Sequence, residues 1–144
     1  MGILTIIVAA DADEFASIGA SMRPTEEWSG IEKRDIDTAK IVTLHCLLTG
    51  DLFEQAVIAY EPVYVAEEGA VVLRIADEVM EKLATIDEDA LLRVAEELAA
   101  TEEFEMEQWD ERDVQDLILE LAELARLAEA QGQVMFVWMH PLLT

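Results

Sequence analysis

The sequence holds a single cysteine, Cys46, among its 144 residues. One thiol makes no intramolecular disulfide and no cysteine-based zinc site. Basic residues are scarce as well: nine Lys and Arg stand against 32 Asp and Glu, a formal net charge of −23. Binding to nucleic-acid phosphates needs a basic patch, and nine cations scattered from Arg23 to Arg126 make none. The expectation is no direct nucleic-acid partner, and no anionic membrane surface for the same reason. Long apolar runs are missing too. The longest, Ile3 to Ala10, covers eight residues, where a transmembrane helix needs about 20. No basic residue precedes it, so it does not read as a secretory signal. After Met1-Gly2, Ile6 stands where the myristoylation pattern wants Ser or Thr. These absences predict a cytoplasmic protein.

What is present is apolar. Hydrophobic residues make up 53% of the chain, and mean hydropathy is +0.21. An acidic disordered tail has low hydrophobicity, so the chain reads as globular, of a length suited to one domain over residues 1–144.

Ile3 to Ala10 (ILTIIVAA) is short, rich in β-branched residues and apolar on both faces, which predicts a central strand. Gln133 to His140 (QVMFVWMH) has the same character, and the two are expected as neighbours in one sheet. A short helix is expected from Ala12 to about Gly19, with Phe15 facing the strand, and a loop over Ser21 to Arg34 anchored by Trp28. Asp37 opens a helix that Gly50 stops, and its apolar residues cover nearly the whole circumference, the mark of a buried helix. Val63-Tyr64-Val65 and Ala70 to Ile75 look like a hairpin. Helices follow from Asp77 to about Ile86 and from Glu88 to about Ala100, the second capped by Asp87. Glu111 to Gln131 carries an i, i+3, i+4 stripe that includes Val114, Leu117, Leu121 and Leu124. No repeat or βαβ alternation occurs. The predicted class is α+β: one small mixed sheet with the terminal strands central, covered by about five helices.

Chemical motifs are few. There is no phosphate-binding glycine loop, no H-E-x-x-H, and none of the three serines lies in G-x-S-x-G. His45 and His140 have no metal-ligand spacing, so neither a metal nor a cofactor is expected. The acidic triplets at Asp11, Asp35 and Asp87 precede helices and read as caps. His45 is the polar residue of most interest because it lies in the most buried helix. It is either a core histidine with satisfied nitrogens or a general acid or base at a pocket floor, with Thr49 one turn away on the same face. Cys46 points about 100° away from it.

Asp35-Ile36-Asp37 followed by Leu44-His45-Cys46-Leu47-Leu48-Thr49-Gly50 resembles the L-H-x-L-L-T-G helix of the YfbM-like family of bacterial proteins (DUF1877). The later order is similar: an Ile86-Asp87 turn, an aromatic region ending at Trp109, a long helix and a closing strand. Two positions depart from the family's pattern, with Cys46 in place of an aromatic and no proline before Trp109. The resemblance implies a small α+β domain, marks His45 as the family's histidine, and implies no activity.

Charge supplies the remaining functional clue. Residues 67–144 hold 21 acids and 5 bases, and nine of the acids fall between Glu102 and Glu120. A face built on Glu102, Glu103, Glu105, Glu107, Asp110, Glu111, Asp113 and Asp116 would attract a basic protein, as an inhibitor or immunity-type module does. A small-ligand binder or enzyme with a pocket near His45 and Thr49 is the competing expectation. A merely solvated acidic surface is the third.

Overall fold

Strand β1, Leu4–Ala10, is buried on both faces over six of its seven residues, as its uninterrupted apolar run requires. The computed structural model describes residues 3–141; the Met1-Gly2 start falls outside them. β1 pairs with the last strand, β5 (Val134–His140), in full antiparallel register from Leu4 opposite His140 to Ala10 opposite Val134. With β2 (Gly30–Arg34), β3 (Tyr64–Val65) and β4 (Val71–Arg74), the sheet order is β2-β1-β5-β4-β3. The α+β class and the inner placement of the terminal strands hold. The sheet is antiparallel at every described pairing rather than mixed.

The two faces are covered unequally. Ile7, Ala9, Leu73, Met135, Val137 and Met139 point into the larger core. There they meet α3 (Thr38–Thr49), α5 (Asp77–Ala84), α6 (Glu88–Ala99) and α8 (Glu111–Ala130). The stripe on α8 is buried as its spacing demands, with Leu121 only 1% exposed, so Leu121→Ala should cost about 2–5 kcal/mol. On the opposite face, Ile6, Val8, Phe136 and Trp138 are covered by α1 (Phe15–Ala20) and α2 (Pro24–Glu27), with Ala66, Ala70 and Val72 of the β3–β4 hairpin packed alongside them. Ile18, rather than Phe15, is the α1 residue that enters this core, and Phe15 is left at the surface.

Local chemistry explains the helix ends. The Asp37 carboxylate accepts from the Lys40 N–H at 3.0 Å. Asp87 accepts from the Ala90 N–H at 2.7 Å, and Asp110 from that of Asp113 at 2.8 Å. Each satisfies one donor that a first helical turn leaves unpaired. Gly50, at φ 82°, closes α3 in the left-handed conformation that a side chain disfavours. Asp11 does not cap. Its own N–H instead donates to the Glu14 carboxylate, 2.9 Å away.

The expected loop at Ser21 to Arg34 contains both α2 and the edge strand β2. An edge strand has one paired side and tolerates charge. β2 alternates half-buried Ile31 and Lys33 with exposed Glu32 and Arg34, which leaves little apolar periodicity to detect. Trp28 anchors the preceding turn, its indole N–H donating to Glu14 at 3.0 Å. Leu52 to Tyr60, where no element was expected, forms α4 (Phe53–Ala56) and a 3-10 turn (Val57–Tyr60). The acidic stretch after α6, Thr101 to Gln108, which reads from sequence as a connection, contains a short helix, α7 (Glu102–Glu105), that buries Phe104.

Candidate functional site

His45 lies on the larger-core side of the sheet near the end of α3 and is 4% exposed. Both ring nitrogens are engaged. Nδ1 is 2.9 Å from the Tyr60 hydroxyl, and Nε2 is 2.8 Å from Asp51 Oδ2. The Ala76 N–H in turn donates to the Tyr60 oxygen at 3.4 Å. The donors assign the tautomer. In the neutral imidazole, a carboxylate partner that can only accept places the proton on Nε2, and Tyr60 then donates its O–H to Nδ1. A chain of hydrogen bonds thus runs from Ala76 through Tyr60 and His45 to Asp51, with each buried polar atom satisfied. Burial, with a smaller push from Cys46 against the opposing pull of the Ala76 N–H, raises the Tyr60 pKa to about 12. The phenol therefore stays a donor at neutral pH.

Thr49, expected beside His45 at a pocket, fastens the helix end. Its hydroxyl donates to the His45 carbonyl at 2.8 Å and accepts from the Asp51 N–H at 3.2 Å. Cys46 is half-buried, and burial, then the charge of Asp51, raises its thiol pKa. His140 lies on the opposite sheet face, its ring 5.7 Å from that of Trp138. The two histidines cannot share a ligand across the sheet. Among the described residues no three His, Cys, Asp or Glu side chains are placed to hold a metal ion.

The acidic stretch folds into a different arrangement. A cleft of about 290 Å³ opens between β2 and the connection from α7 to α8, lined by Lys33, Glu107, Gln108, Trp109, Asp113 and Asp116. Beneath it Lys40 is only 2% exposed. Its ammonium lies 2.7 Å from Glu107 and 3.9 Å from Asp37, and 5.6 Å above the Phe104 ring. Phe104 meets Trp109 edge to face at 5.4 Å. Gln108, at φ 63°, turns the chain between these two anchors. Lys33 is taken by Glu120 at 2.8 Å, and Lys40 neutralises Glu107. Asp113 and Asp116 therefore supply the cleft's charge, since neither has an ion-pair partner among the described residues.

Of the expected acidic face, Glu107, Asp113 and Asp116 come together at this cleft. Glu102, Glu103 and Glu105 stay on α7, Asp110 is used as the α8 cap, and Glu111 lies in the first turn of α8. Trp109, Gln108 and Lys33 join the cleft without being candidates from sequence. The available signal for Trp109 was a large aromatic in an otherwise acidic stretch. Lys33 had no signal, because its strand was not expected.

Fold and cleft together define an acidic α+β domain: an antiparallel sheet, a thick helical layer on one face, and a carboxylate-lined opening at that layer's edge. No family model matches the chain, and no curated protein matches it. Among solved structures it is similar to a protein of unknown function, YfbM from Escherichia coli. That likeness has 14% identity over 94% of this chain and 99% of the other, with a TM-score of 0.45. Among the described residues no single helix is long and apolar enough to cross a membrane.

Proposed function

We propose that the protein is a binding module that captures a basic partner protein, in the manner of an inhibitor or immunity-type protein, through the α7–α8 face. The observation that carries this reading is the pairing of Trp109 with Asp113 and Asp116 in one open cleft. An aromatic face beside two carboxylates suits an arginine or lysine side chain, which gains cation–π attraction and charge-assisted hydrogen bonds together. The surrounding charge of −23 adds long-range steering of a cationic partner.

The competing reading, a pocket at His45, has less support. The imidazole is buried and both its nitrogens are already bonded, so a ligand would first have to displace Tyr60 or Asp51.

The test is binding of an arginine- and lysine-rich peptide, followed by fluorescence anisotropy, to the wild type and to Asp113→Asn/Asp116→Asn. Affinity should fall at least tenfold in the variant, and should fall in the wild type as salt rises. Equal binding by the two proteins, or binding indifferent to salt, would remove the proposal.

A further inference from the structure

A second depression, of about 410 Å³, lies between α6 and α8 and shares Asp116 with the Trp109 cleft. Its walls are apolar: Ile86, Leu91, Leu92 and Leu119. Leu92 is 42% exposed and Leu119 45%, although both sit on helices whose other large apolar residues are buried or half-buried. On two helices whose spacing otherwise sorts apolar from polar, these are the places where the pattern spills to the surface.

The rim is predominantly acidic. Asp87, Glu88 and Asp116 surround the apolar walls. The single cation there, Arg126, is turned toward the carbonyls of Ala84 and Ile86, at 3.0 and 3.2 Å, and so serves the α5–α6 turn. An apolar trough with an acidic rim is complementary to a helix with an apolar stripe and basic flanks. A second copy of this chain is a poor occupant, because it brings a charge of −23 to a rim of like sign.

We infer that the α6–α8 groove docks the apolar face of a basic amphipathic helix from the partner, with an adjoining basic side chain reaching over Asp116 into the Trp109 cleft. This rests on the reading of that cleft as a site for basic groups and narrows the partner to one class of segment. Apolar anchors at i, i+3 or i+4, and i+7 fit the groove, and arginine or lysine on either side meets the rim.

The experiment uses the full chain and two synthetic peptides of one composition, leucine with lysine and arginine. One is ordered as an amphipathic helix and the other is scrambled. Isothermal titration should show the ordered peptide binding at least tenfold tighter. Leu92→Ser/Leu119→Ser should abolish that difference while leaving the scrambled peptide's affinity unchanged. Both leucines are partly solvent-exposed, so the fold is expected to survive; circular dichroism checks this, and Leu119→Gln alone is the milder variant. Equal binding of the two peptides overturns the groove and leaves the charged cleft standing. Binding of the ordered peptide alone, unaffected by Asp113→Asn, overturns the cleft and keeps the groove. Binding of neither overturns both. Self-association abolished by the leucine substitutions would assign the groove to a second copy instead.

Discussion

The Tyr60 hydroxyl lies 2.9 Å from Nδ1 of His45, and this hydrogen bond fastens the segment after α3 to the helix it leaves. Tyr60→Phe would remove the hydrogen-bond partner of Nδ1 and the acceptor of the Ala76 N–H. Both groups would remain in a site where Tyr60 itself is 3% exposed. Leaving buried polar atoms unsatisfied costs about 1–3 kcal/mol. Urea unfolding of the variant should show a loss in that range, and an unchanged midpoint would mean that water replaces the hydroxyl.

The same tyrosine sets an alkaline limit. Its pKa rises from 10.0 to about 12 on folding. Between these values the unfolded chain has released the phenolic proton and the folded chain still holds it. The folded state then binds more protons, so stability falls as pH rises. The stabilising contribution is complete below pH 10 and lost by about pH 12, roughly 2–3 kcal/mol in all. Stability curves of wild type and Tyr60→Phe should therefore converge over this window. Parallel curves would place the phenol's titration near its ordinary value.

Lys40 and Glu107 form the second polar lock. Glu107→Gln would leave the buried ammonium with Asp37 at 3.9 Å as its remaining carboxylate. Stripping a fully buried charge of its partner costs about 3–5 kcal/mol. Here the Glu107 side chain is 42% exposed, so water takes over part of its role and about 1–2 kcal/mol is expected. Lys40→Met should be milder, because it removes the charge along with the need to solvate it. Urea midpoints of the two variants decide the matter. If the methionine variant proves the weaker, the ammonium itself stabilises the fold, through Glu107, Asp37 and the Phe104 ring rather than through the packing of its stem.

The contrast between these locks and the elements that carry them shows what can be inferred from residues alone. The bounds of α3 follow from Asp37 and Gly50, and α8 from its stripe, because caps and periodicity are local. β1 and β5 announce themselves as doubly apolar runs. β2 is silent because an edge strand needs only half a pattern. The 52–60 segment is silent because most of its apolar residues face outward, with Leu52 66% and Ile58 70% exposed. The sites depend on these silent pieces. His45 stands out by its type and its place in a buried helix, but its partner Tyr60 comes from the 3-10 turn 15 residues on. Trp109 becomes a cleft wall only when β2 brings Lys33 opposite it. Contacts set by tertiary arrangement leave no spacing to find.

Gly30 marks how closely β2 approaches its neighbour. A Cβ added there would lie 2.5 Å from the Ile7 carbonyl oxygen and 2.7 Å from a Val8 methyl carbon. The carbonyl belongs to the central strand and cannot move aside. Gly30→Ala should therefore weaken the start of β2, by about 1–3 kcal/mol. The damage should be local. Amide exchange ought to accelerate in residues 30–34 while the amides of β5 stay protected. Uniform acceleration would mean that β2 is part of the cooperative core.

Salt separates a functional acidic face from a merely solvated one, because the two act on different observables. The described ion pairs are few beside 32 acids, so like-charge repulsion should dominate the long-range electrostatics of the free protein. Raising ionic strength from about 0.01 to 0.5 M shortens the screening length severalfold, and the melting temperature should rise by several degrees. Asp113→Asn/Asp116→Asn should raise it at low salt as well, since the cleft carboxylates repel each other without an ion-pair partner. If that variant is more stable and yet loses the basic peptide, the two aspartates are held at a cost to the fold and serve binding. If it is more stable and binds as before, the acidity at the cleft is surface charge alone. Loss of stability at low salt in the variant would mean that the attraction of Asp113 to the N-terminus of α8, in whose first turn it lies, outweighs the repulsion.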